Sequence, residues 1–195
     1  MPVNQINPGE NPLKIVKASR RALHALAAAI VALTGCSSQD IQRYADEKPQ
    51  LDLATYFNGK IIAHGIFQDR SGQVIKRFTV DMEGRWNGNH GVLDEHFSYS
   101  DGKKERRIWR LTKHENGRYT GTADDVAGTA DGLAIGNAFQ WAYTLKLPVD
   151  DKVYEVQFDD WMYLVDEQVM LNRATMSKFG IRLGEVTLSF RKLAP

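Results

Sequence analysis

The chain has 195 residues, a quarter of them charged, and a formal net charge of +1. That balance lacks the strong basic excess of a nucleic-acid binder, and a single cysteine leaves no internal disulfide to make. The length suits one domain with a core of its own.

The twelve residues before Leu13 are polar, rich in Asn and Pro, and are assigned no structure. Lys14, Lys17, Arg20 and Arg21 then precede an apolar run from Ala22 to Leu33. A basic stretch, about a dozen apolar residues and small residues beyond them make a secretory signal. The run is too short for a membrane span, which takes roughly 20 apolar residues. Leu33-Thr34-Gly35-Cys36 resembles the bacterial lipobox. That resemblance implies cleavage before Cys36 and acylation of its thiol and of the new N-terminus with chains such as palmitate. Two or more acyl chains anchor stably where one binds reversibly. The alternative is an ordinary signal peptide with an incidental cysteine. Ser37 stands where Asp commonly retains such proteins at the inner membrane, which implies the outer membrane, facing the periplasm.

Three segments follow: a signal at 1–35, an acylated cysteine and tether at 36–50, and a folded domain at 51–195. Without the signal, the remaining 160 residues carry 21 basic and 23 acidic side chains. The tether is polar and proline-punctuated, with a short helix expected near Ile41–Ala45. Leu51–Phe57 is a short apolar segment placed to lie across one end of the fold.

From Gly59 onward the apolar period is two. Strands are predicted over Lys60–Gln68, Phe78–Glu83, Gly91–Tyr99, Arg106–Lys113, Arg118–Asp125, Phe139–Leu147, Tyr154–Phe158, Glu167–Thr175 and Val186–Arg191. Turn signals such as Ser100-Asp101-Gly102 and Glu115-Asn116-Gly117 separate them, with no long crossovers. Nine or so hairpin-linked strands remove their edges by closing on themselves. The predicted fold is all-β: a single antiparallel up-and-down barrel, lipocalin-like in architecture, of about 8–10 strands. A β-sandwich is the alternative. A transmembrane barrel is disfavoured, because the second faces carry Lys, Arg, Asp, Glu and Gln.

Three clusters bear on function. In Phe158-Asp159-Asp160-Trp161-Met162-Tyr163 the adjacent carboxylates face opposite ways, so at most one points inward. The inward one needs a partner, and Arg173, on the predicted hairpin neighbour, is the candidate. The pair is either a structural ion pair or a polar floor for a ligand headgroup. The second cluster, Gly121–Gly132, lacks the spacing of a phosphate loop, a dinucleotide fingerprint or a calcium loop. Its glycines are expected to let a strand bend or a loop pass close by. The third is an aromatic set including Trp109, Trp141, Tyr143 and Trp161, mostly core, with some members suited to a pocket wall. His64, His90, His96 and His114 are scattered without metal-ligand spacing. No nucleophile elbow is present. No cofactor or metal is expected.

Several of these stretches also resemble one known family. They are Tyr56–Lys60, Gly65–Gly72, Arg77–Val80, Gly121–Val126, Phe158–Tyr163, Asn172–Gly180 and Leu183–Thr187, after the lipobox. They are similar to a proteobacterial family of lipoproteins of unknown function. The resemblance implies an exported, membrane-anchored, lipocalin-like protein, and its members tend to lie near lipid-modifying genes. It carries no activity or site residues.

The leading expectation is a barrel that binds an apolar or amphipathic small molecule, such as a fatty acid or lipid. Trp109, Trp141, Tyr143 and Trp161 form its walls and Arg173 pairs with the headgroup. A filled-core structural or assembly protein of the envelope is the second reading. The third is a lipid-modifying enzyme, with Asp159 or Asp160, Glu95 and His96 as acid–base candidates.

Overall fold

Ten segments of alternating apolar and polar side chains, rich in β-branched and aromatic residues, form the strands. They are β1 (Gly59–Asp69), β2 (Val74–Asn87), β3 (His90–Tyr99), β4 (Lys104–Lys113), β5 (Arg118–Thr122), β6 (Val126–Ile135), β7 (Ala138–Val149), β8 (Lys152–Leu164), β9 (Val169–Lys178) and β10 (Ile181–Lys192). The structure is a computed structural model and describes residues 39–194. The signal segment and Cys36 lie outside the described residues.

Each strand pairs antiparallel with the next, and β10 returns to β1, so the sheet is a closed barrel. This is the up-and-down, lipocalin-like architecture that the spacing predicts. The strand missing from the sequence reading is β6, which lies in the glycine-rich stretch. Gly and Ala weaken a strand's sequence signal, and here they are small for a reason. A Cβ at Gly132 would meet the rings of Trp141 and Phe139, which fill the interior opposite. Near Gly128 the register between β6 and β7 shifts, and the strand bends there. The predicted strand Arg118–Asp125 is therefore shorter, ending at Thr122 before a turn into β6.

The turns β2–β3, β4–β5, β6–β7 and β8–β9 gather at one end. Leu51–Phe57 closes that end, as the one-turn helix α1 (Leu53–Tyr56) and its flanks, with Leu51, Leu53, Tyr56 and Phe57 buried. Asp52 caps the helix, accepting from the Ala54 backbone N–H at 2.9 Å. The same carboxylate accepts from the Tyr119 hydroxyl at 2.9 Å and from Lys113 Nζ at 2.5 Å. Lys192 Nζ donates to the carbonyls of Thr55 and Tyr56, satisfying the other end of the turn. Phe57 meets Tyr56 and Phe190 edge-on, with centroids 5.3 and 5.8 Å away. Outside the barrel, a 3₁₀ turn over Ile41–Tyr44 sets Tyr44 against Trp161 and Tyr163 on β8.

The opposite end is ringed by the β1–β2, β3–β4, β5–β6, β7–β8 and β9–β10 turns. Val74, Ile75, Leu147, Val149, Val153, Tyr154, Phe179, Ile181 and Leu183 are all solvent-exposed there.

Candidate functional site

The inward positions of the strands do not fill the barrel. They enclose a cavity of about 470 Å³, floored by Leu53 and Phe57 and reaching the rim at Lys76, Lys103 and Leu147. Its wall is largely aromatic. Trp109 on β4 meets Trp141 and Tyr143 on β7 edge-on at 5.7 and 5.5 Å, and Tyr143 stacks on Phe158 of β8 at 5.0 Å. A second depression, about 560 Å³, lies on the outer surface over β1, β2 and β10. It lacks the first cavity's enclosure by strands on every side.

Inside the enclosed cavity sits a polar cluster. Glu95 on β3, Arg107 on β4, Asp160 on β8 and Asn172 on β9 all reach its wall. Arg107 donates from Nε to Asp125 Oδ2 at 2.8 Å, and its Nη2 lies 2.8 Å from the same oxygen. This link spans the side of β4 where the residues before Arg110 have no ladder partner on β5. Arg107 Nη1 is 3.9 Å from Glu95 Oε2, and the guanidinium lies over the Phe97 ring. Asn172 Nδ2 donates to Asp160 Oδ1 at 2.9 Å, and Tyr143 donates its hydroxyl proton to the same carboxylate.

Burial pushes the Glu95 carboxyl up to about 7, with Asp125 and Asp160 adding to the rise and Arg107 opposing it. Burial likewise pushes Asp160 up to about 6, against the hydrogen bonds from Asn172 and Tyr143. Burial and the neighbouring Asp160 hold the Tyr143 phenol well above its ordinary value. Two carboxyls poised near neutrality in one cavity are therefore the chemical signature of the site.

The residues singled out from sequence divide between the two faces. Trp109, Trp141, Tyr143 and Asp160 line the cavity. Asp159 points outward, accepting from Gln140 Nε2 at 2.6 Å and Trp161 Nε1 at 3.2 Å. Trp161 is buried, but on the outer face under Tyr44. The expected pairing of Arg173 with the inward aspartate does not form. The β8–β9 register sets Arg173 opposite Trp161, which turns it outward, and Asn172 faces in instead. Arg173 has 65% of its side chain exposed and bonds Glu185 at 2.6 Å, an acceptor shared with Arg182. His96 is also outside, 3.3 Å from Asp94. Among the described residues, no three His, Cys, Asp or Glu side chains are grouped to hold a metal ion.

The sequence reading passed over Arg107 and Asn172. The available signal was phase: Arg107 shares the face of Trp109 and Leu111, and Glu95 that of Leu93 and Phe97.

Comparisons with known proteins fit this picture. The family model described as "Protein of unknown function (DUF3833)" matches residues 30–192. The comparison with curated proteins found no match. Among solved structures, the S-type phycobiliprotein lyase CPES from Guillardia theta superposes with a TM-score of 0.56 at 7% identity, covering 81% of this chain and all of that one. That likeness is one of fold. A DUF3598-family protein of unknown function from Nostoc punctiforme PCC 73102 gives 0.47 at 10% identity, covering 75% of this chain and 51% of that chain. A de novo designed fluorescence-activating β-barrel gives 0.38 at 15% identity over 73% of this chain and 99% of that one. The chain belongs to the DUF3833 family.

Proposed function

We propose that this DUF3833 protein is an acyl-anchored lipoprotein of the cell envelope whose barrel holds an apolar or amphipathic small molecule. The observation that carries the binding reading is the cavity. Its volume of about 470 Å³ falls within the roughly 300–1,000 Å³ typical of small-molecule sites. Its wall has the usual composition too: aromatic and aliphatic surface with a few convergent polar groups. A filled-core assembly protein would leave no such space, which argues against the second reading. Support for the anchor comes from Leu33-Thr34-Gly35-Cys36 behind its basic and apolar segments, and Ser37 favours the outer membrane.

The test is native mass spectrometry of the full protein drawn from its own envelope, followed by lipid extraction. Binding predicts a small molecule at near one per chain, and anchoring predicts a mature chain beginning at an acylated Cys36. A clean apo mass that does not shift when Nile red is added would overturn the binding reading. A mature chain with an unmodified Cys36, or none that begins there, would overturn the anchor.

One observation favours the third reading, an enzyme. Glu95 and Asp160, raised toward neutrality beside the cavity, suit acid–base chemistry. An enzyme would return the extracted molecule chemically altered after incubation, whereas a carrier would return it unchanged.

A further inference from the structure

We infer that the polar end of the bound molecule is a hydrogen-bond donor, such as an amine or a hydroxyl, and not a carboxylate. The inference rests on the small-molecule reading above and narrows its ligand class.

The cluster has more acceptor oxygens than donors: Trp109 donates to Glu95, Asn172 and Tyr143 donate to Asp160, and Arg107 is held by Asp125. Glu95 is only 9% exposed and Asn172 only 3%, and both line the cavity. Glu95 Oε2 and Asn172 Oδ1 are buried without a hydrogen-bond partner, as is Asp125 Oδ1 behind them. The Asn172 orientation is set by its amide, which donates both to Asp160 Oδ1 at 2.9 Å and to the Trp161 carbonyl at 3.3 Å. The oxygen is therefore the atom left over. Buried acceptors are normally satisfied, and a ligand donor is one way to satisfy them.

Charge points the same way. One guanidinium, Arg107, faces three carboxylates, those of Glu95, Asp125 and Asp160. Its Nε and Nη2 are held by Asp125, and its Nη1 faces Glu95 Oε2 at 3.9 Å. At pH 8, above the values of about 7 and 6 to which burial pushes Glu95 and Asp160, both are ionised, and an incoming carboxylate would add a further negative group beside them. The lysines at the rim do not change this, because Lys76 pairs with Asp101 at 2.9 Å and Lys103 with Glu105 at 2.6 Å. A protonated amine would instead gain charge-assisted hydrogen bonds from the same oxygens.

The experiment is displacement of Nile red, a neutral apolar dye, from the full chain at pH 8 by octylamine, octanol and octanoate. These eight-carbon probes share a tail and differ at the polar end. Octylamine and octanol are expected to displace the dye at concentrations at least about tenfold below octanoate, the scale of one charge-assisted hydrogen bond. Glu95→Gln and Asp160→Asn should each narrow the octylamine advantage over octanoate. Octanoate as potent as octylamine would overturn the inference while leaving the binding reading intact. An advantage unchanged in both variants would also overturn it, by removing these oxygens as the acceptors. Absence of Nile red binding by the unaltered chain would overturn the binding reading and this inference with it.

Discussion

The two ends of the barrel follow opposite rules. At the closed end the charged groups around α1 are paired: Asp52 holds the start of the helix together with Tyr119 and Lys113, while Lys192 takes its last carbonyls. The rings of Tyr56, Phe57 and Phe190 interlock there. Above the floor the interior thins into a cavity where Glu95, Asn172 and neighbouring Asp125 each keep an oxygen without a donor, and at the mouth apolar side chains stand in solvent. Trp86 Nε1 and Asn137 Oδ1, by the closed-end turns, also lack partners. The contrast teaches a division of labour. The floor supplies stability, and the upper half gives some of it up to keep a lined, chemically specific space.

The largest expected effect comes from breaking the floor. Phe57→Ala removes a buried ring and its edge-on contacts, and should cost about 3–5 kcal/mol in urea unfolding. A loss below about 1 kcal/mol would mean that α1 is not a structural floor at all.

Next in size is the pH response of the cavity. Glu95 and Asp160 have folded values near 7 and 6, raised from ordinary values of 4.5 and 3.8. Such groups stabilise the fold fully below their unfolded values, and that contribution is lost as pH rises through the folded ones. Unfolding free energy should therefore fall between pH 5 and pH 8, by about 4 kcal/mol if the two groups titrate independently. Asp52 and Asp94, held low, act in the opposite sense, but as the pH falls below the ordinary aspartate value of 3.8. Glu95→Gln should flatten the slope between pH 5 and 8. An unchanged slope would show that Glu95 is not buried as a titrating group.

A smaller effect, of opposite sign, belongs to the rim. Phe179 is 89% exposed and sits at φ 52°, a left-handed conformation that bulky residues rarely adopt. Asn tolerates that geometry better, so Phe179→Asn should raise stability by about 0.5–1 kcal/mol. Thermal unfolding would register this as a higher Tm. A lower Tm would show that the ring contributes to the folded state, through Lys178, whose ammonium lies 4.9 Å from its centroid.

The barrel was legible because alternation is a local signal, repeated strand after strand. Phe139, Trp141 and Leu145 announce an inner face without any knowledge of their neighbours. The strand β6 was not, since its Gly132 is set by a ring on the next strand. The site was half legible for the same reason. Composition could name two adjacent aspartates, but only the β8–β9 register decides that Asp160 turns in with Asn172 while Asp159 stays out. An arginine one residue from the right position looks the same in sequence as an arginine in it.

Arg173 makes that last point measurable, with the smallest expected effect. Its guanidinium is mostly in water, and Glu185 keeps Arg182 as a second partner at 2.8 Å. Glu185 is itself buried, but Arg182 stays on it, so loss of the mostly solvated Arg173 should cost no more than a surface pair contributes, about 0–1 kcal/mol. Arg173→Ala should therefore leave urea unfolding within that range and leave Nile red and octanoate titrations unchanged. Arg107→Ala, the inward counterpart, strands Asp125 and Glu95 in the wall without their cation, and should destabilise by about 3–5 kcal/mol. If instead Arg173→Ala weakened octanoate binding selectively, the outward placement of β9's arginine would be wrong. The register that assigns Asp160 and Asn172 to the cavity would then fall with it, because one residue of slip exchanges the two faces.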